Sequence, residues 1–192
     1  MQAIWSRIEL WLRENAPQVL GTLNPGATKE QIEQIETKLA VALPRDMKES
    51  YRIHNGQSVN PVDGSVLVLI DGFELLSLEA LAEIWAGWKQ MLEQGMFKGI
   101  QSEPSGPVQP FWWSNLWIPV TDNGYGDHYC VDLDPGPGGL VGQIISVWHE
   151  NPHRVVLAPS FRQWLDRFAN ALESGVYMFS EDYGGIMKKE DL

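Results

Sequence analysis

Between Trp117 and Ala158, short apolar runs alternate with clusters of turn-forming residues, and this constrains the fold more than any other feature of the chain. The runs are Trp117–Thr121, His128–Leu133, Gly142–Trp148 and Arg154–Ala158. Asp122-Asn123-Gly124, then DPGPGG from Asp134, then HENPH from His149 separate them. Such runs, bounded by Gly, Pro, Asn and Asp, read as strands.

The rest of the chain carries helical periodicity. Ile4, Trp5, Ile8, Trp11 and Leu12 recur at helical spacing, and Pro17 closes that segment. Thr28 with Gln31 fits a capping box ahead of Ile32, Ile35 and Leu39. Pro44 suits the first position of a third helix, which carries Met47 and Tyr51 and stops at Gly56. In SVLVLIDGFELLSL, Asp71-Gly72 between apolar runs signals a hairpin. Ser77 caps a helix over Leu78–Leu92 that stops at Gly95, and Ser160 with Gln163 caps a last one that stops at Gly175. Helices, hairpin, helix, strands, helix is the order of an α+β fold. A mixed, largely antiparallel sheet would pack against N-terminal, central and C-terminal helices. The 192 residues suit one domain, here 1–175, with a Pro/Gly/Ser-rich insertion at about 96–113 that reads as a long loop or a partly ordered insertion. Residues 176–192 read as a fraying tail.

The formal net charge of −11 argues against nucleic acid and against anionic membrane surfaces as partners, and would steer a basic protein partner. Cys130 is the only cysteine, the N-terminus does not read as a secretion signal, and no apolar run approaches a membrane span. A cytoplasmic setting is the expectation.

Chemistry-bearing residues are sparse. Asp122, Asp127, Asp132 and Asp134 form a carboxylate cluster, but the spacing is not that of a calcium loop. Turn architecture explains it better: Asp122 and Asn123 would accept backbone N–H groups, Asp127 would close the loop, and Gly124 and Gly126 would take positive φ. An acidic patch for a basic partner is compatible with that. His128 and Cys130 share one strand face, a weak metal or nucleophile pair, and Cys130 reads as a buried inert thiol. PGPGG at Pro135–Gly139 lacks the features of a phosphate loop. Trp5, Trp11, Trp85, Trp148 and Trp164 read as core, whereas Trp112 and Trp113 adjoin the insertion and either fold back onto the core, the favoured outcome, or serve as interface anchors. No cofactor, metal site or catalytic residue is expected.

Four stretches carry a family resemblance: IEQIETKLAVALPRDMKESYRIHNGQ, FELLSLEAL, WIPVTDNGYGDHYCVDLDPGPGGLVGQII and RVVLAPSFRQWLDRF. In this order they resemble the SUKH superfamily of Smi/Knr-type domains, over nearly the whole chain. The resemblance implies an α+β protein-binding domain without cofactor or catalytic residues. The family includes fungal regulators of cell-wall glucan synthesis and bacterial immunity proteins that neutralise toxins. Long low-complexity flanks of the fungal kind are lacking here, so the expectation is an immunity-type protein facing a basic toxin. A regulator or scaffold of wall or envelope synthesis is the alternative, and a small metal-dependent enzyme the third reading. The expected partner-binding residues are Trp112, Trp113, Asp122, Tyr125, Asp127, Asp134 and Glu150.

Overall fold

A computed structural model describes all 192 residues. Helix α1 (Gln2–Asn15) buries Ile4, Trp5, Ile8 and Leu12, and the Trp5 indole N–H donates to Ser50 Oγ at 2.8 Å. The short α2 (Pro17–Leu20) begins on Pro17, where a missing N–H costs nothing. At α3 (Lys29–Leu39) both halves of the Thr28–Gln31 capping box form, with bonds of 3.2 and 2.8 Å. Pro44 stands just outside α4 (Arg45–Tyr51), one position earlier than expected. Gly56 has φ +65° but does not terminate α4, which ends at Tyr51. Its role is close approach, since a Cβ there would lie 2.3 Å from the Leu76 backbone.

The Asp71-Gly72 turn forms, with Phe73 N–H donating to Ile70 O at 3.0 Å. The expected hairpin does not extend, because each arm is taken by another element. Val68 pairs with the Gly184–Ile186 backbone, while β1 (Glu74–Leu75) pairs with β4 (Thr121–Asp122). Ser77 caps α5 (Leu78–Glu93), and Gly95 follows its end.

The main sheet contains β2 (Glu103–Ser105), β3 (Trp117–Pro119), β5 (His128–Asp132), β6 (Gln143–Val147) and β7 (His153–Ala158). Its spatial order is β2-β7-β6-β5-β3. All neighbours are antiparallel except β2, which runs parallel to β7, so the sheet is mixed and the fold is α+β. Helix α6 (Phe161–Glu173) lays Phe161, Trp164, Leu165, Phe168 and Leu172 onto the core. Arg7 of α1 reaches across to Asp166 at 2.9 Å.

Of the two readings of the 96–113 segment, a long loop or a partly ordered insertion, the structure has the second, and one expectation, the fraying tail, is corrected. The segment supplies edge strand β2 and buries Val108 and Trp113. The tail does not fray: β8 (Tyr177–Ser180) and β9 (Gly185–Lys188) form a hairpin that buries Tyr177 and Ile186 in the main core.

Candidate partner-binding face

Strands β5 and β6 pair His128 with Val147, so the turn entering β5 and the turn leaving β6 lie side by side. In the first, Asn123 Oδ1 accepts the N–H of Tyr125 (2.9 Å) and of Asp127 (3.2 Å). Gly126 has φ +93°, and a Cβ there would sit 3.3 Å from the His149 ring. The second turn is tied on through Asp127. Its Oδ1 accepts both the backbone N–H and the ring Nδ1–H of His149, each at 2.9 Å, and its Oδ2 accepts from Asn123 Nδ2 at 3.0 Å.

Partial burial pushes the Asp127 carboxyl up. The hydrogen bonds from the His149 ring, the His149 backbone and Asn123 together outweigh this and hold it below its ordinary value. The hydrogen bond that the His149 ring donates to Asp127 raises its imidazole. Phe73, Asp127, Trp148, His149, Glu150 and Asn151 enclose an open cleft of about 310 Å³. Phe73 is its floor, stacked on Trp148 with ring centroids 5.7 Å apart. Glu150 stands at the rim, and Tyr125, in the adjoining 122–127 turn, is 80% exposed.

The expected site residues therefore divide. Tyr125, Asp127 and Glu150 come together on this face. Asp122 lies at its base but is not a turn acceptor. It sits opposite Glu74 in the β1–β4 pair, with Oδ1 3.5 Å from His128 Nδ1. Burial, then the charge of Asp122, raises the Glu74 carboxyl. Trp112 is half-buried beside the face, its carbonyl accepting from Arg154 at 2.9 Å and its ring 5.1 Å from the guanidinium.

Two expected residues are elsewhere. Trp113 is 2% exposed and stacks on Trp88 at 4.8 Å, so it is core and not a surface anchor. Asp134 lies beyond the far end of β5, about 16 Å of strand away at roughly 3.3 Å per residue. The aspartates are thus not one patch. Asp132, near Asp134, is fully buried and accepts from Gln143 Nε2 at 2.8 Å. Trp148, expected in the core, is half-exposed at the cleft.

His128 and Cys130 are both buried. Trp88 Nε1–H donates to His128 Nε2 at 3.1 Å, which leaves Nδ1 as the protonated nitrogen donating to Thr121 O at 2.9 Å. Burial lowers the His128 imidazole and pushes the Cys130 thiol well up, the opposite of what a nucleophile needs. Residue reading missed Phe73, His149 and Arg154. The usable signal for His149 was the turn-to-turn register of two neighbouring strands. For buried Arg154, which holds the carbonyls of Asn151, His153 and Trp112, the sequence offered no signal.

Fold and face define an α+β domain with a braced, solvent-facing pair of turns. The model of the SMI1 / KNR4 family (SUKH-1) matches residues 26–167, and the chain belongs to that family. It is 29% identical over 187 residues to the cell wall biosynthesis/cell cycle regulator smi1 of Schizosaccharomyces pombe, covering 93% of this chain and 37% of that protein. It is 28% identical over 209 residues to the cell wall assembly regulator SMI1 of Saccharomyces cerevisiae, covering 93% and 41%. The glucan synthesis regulatory protein of Neurospora crassa is 26% identical over 220 residues, covering 97% and 41%. The chain thus spans about two fifths of the length of these relatives, which are named as regulators and not as enzymes. No helix is long and apolar enough to cross a membrane.

Proposed function

We propose that this chain is a non-catalytic protein-binding domain that regulates cell-wall or glucan synthesis through contacts made by the 122–127 and 148–153 turns. The family match over residues 26–167, with relatives named as wall and glucan regulators, carries the reading. The geometry supports it. A braced pair of turns presents exposed Tyr125 on one turn and Glu150 beside an aromatic-lined cleft on the other, and aromatic side chains on a fixed scaffold are good interface anchors.

The relatives favour this regulatory reading over the immunity reading expected from the sequence. The −11 charge still favours a basic partner and keeps toxin neutralisation as a second reading. Affinity capture from native cells separates them. Recovery of wall-synthesis or cell-cycle proteins supports regulation, whereas stoichiometric recovery of a secreted toxin domain overturns it.

A further inference from the structure

A second concavity lies between α6, the sheet and the C-terminal hairpin, and its wall residue Tyr129 packs on Phe73 of the turn-face cleft with ring centroids 4.6 Å apart. It encloses about 280 Å³ and is mostly apolar, walled by Tyr129, Trp164, Phe168, Ala171 and Tyr177. Its aromatic walls are fixed against each other. Tyr129 meets Trp164 edge-on at 6.0 Å, and Phe168 meets Tyr177 edge-on at 5.4 Å.

Asp71, Lys188 and the two phenols lie close together in the groove, and Arg167 stands on its rim. Lys188 Nζ pairs with Asp71 at 2.6 Å. Arg167 is exposed at the rim, donates to Leu157 O, and has no carboxylate partner. In a chain of charge −11, this groove holds two cations against one carboxylate. Tyr177 is only 9% exposed, yet neither its hydroxyl nor that of Tyr129 has a hydrogen-bond partner within the protein. Burial, then the charge of Asp71, raises both phenols, so both stay protonated donors. Both hydroxyls keep contact with the open groove and are free to donate to a ligand there.

Pockets for small ligands have this composition: apolar walls with a few convergent polar groups. We infer that the groove binds a small organic acid, a carboxylate carried on an apolar ring or short chain. The ring would lie between Trp164 and Phe168. The carboxylate would accept from Arg167 and from the tyrosine hydroxyls, with Lys188 adding positive potential.

The test is an NMR titration of the purified chain with 3-phenylpropionate and, in parallel, with its uncharged amide. The acid should bind saturably with Kd of about 1 mM or tighter, as its size permits. Its shifts should centre on the Trp164 and Tyr177 signals. The amide should bind about tenfold more weakly, because charge-assisted hydrogen bonds are lost. Arg167→Gln, at an exposed position that leaves the core intact, should reduce the acid to the amide's affinity. Ala171→Leu should abolish both by filling the groove. Equal affinity of acid and amide, an unaffected Arg167→Gln variant, or no saturable shift at about 10 mM, some tenfold above the expected Kd, would each overturn the assignment.

Discussion

Asp127 holds His149 by two bonds of 2.9 Å to a single carboxylate oxygen, one from the ring and one from the backbone. Two turns far apart in sequence thereby become one surface, and a titratable pair sits at the join.

That pair gives the face a defined pH range. His149 is raised above 6.5, so its contribution is complete below about pH 6.5 and is lost as pH rises through the folded pKa. Asp127 is held below 3.8, so its contribution is present above about pH 3.8 and is lost as pH falls through its folded pKa. The brace is strongest between those limits. Both groups are partly exposed, so its worth is about 1 kcal/mol or less. An NMR titration should place the His149 midpoint above 6.5 and return it toward 6.5 in Asp127→Asn. Identical midpoints in the two proteins would mean that the brace does not form in solution.

His128 titrates in the opposite sense. Burial holds its imidazole neutral and below 6.5, so the unfolded chain takes up a proton first as pH falls. Its contribution is full above about pH 6.5 and is lost as pH drops through the folded pKa. Urea denaturation at pH 7.5 and 5.5 should therefore show a loss of stability on acidification that is smaller in His128→Gln. A variant with the same pH slope as wild type would refute this.

Arg154 ties the 96–113 segment to β7 through the carbonyls of Asn151, His153 and Trp112. It is fully buried, and burial lowers its guanidinium to about 10. Arg154→Met should cost about 2–5 kcal/mol by leaving those carbonyls without donors. Arg154→Lys should rescue only part, because an ammonium lacks the planar fork. Hydrogen exchange should rise first at Glu103–Ser105, and a uniform rise over the sheet would contradict the tie.

Ala40 closes α3 in the left-handed region, at φ 55°. An L side chain pays about 1 kcal/mol there, and glycine does not. Ala40→Gly should raise stability by about 1 kcal/mol in chemical denaturation, and a loss would show that the left-handed cap is absent.

What was legible in the sequence was local. The Thr28–Gln31 box, the Ser77 and Ser160 caps and the four runs between Trp117 and Ala158 each declare themselves within a few residues. The Asn123 and Asp127 turn was legible for the same reason. What failed depends on distant partners. Glu103–Ser105 contains Pro104 and no alternation, and becomes a strand only beside β7. The two arms at Asp71-Gly72 were claimed by Ile186 and by Thr121, which no short window reveals. Trp113 looked like a loop aromatic until Trp88 covered it. The aspartates looked like one cluster because β5, which separates them, is only five residues of sequence. The immunity expectation rested on acidity and on the family resemblance, neither of which identifies a partner.

Protein binding at the turn face is the central claim, and variants at exposed rim positions test it most directly. Tyr125 and Glu150 project from the brace, so Tyr125→Ala with Glu150→Lys should leave the fold and thermal midpoint unchanged. Asp127 is unsuitable, because its removal would break the brace itself. Quantitative affinity capture from native cells should then be run with wild type and the double variant at equal loading. The account predicts that the double variant loses at least about 90% of the specifically retained protein, as a loss of about 1.4 kcal/mol would give. Retention of the same partners in the same amounts by a folded double variant would contradict it and place the interface elsewhere.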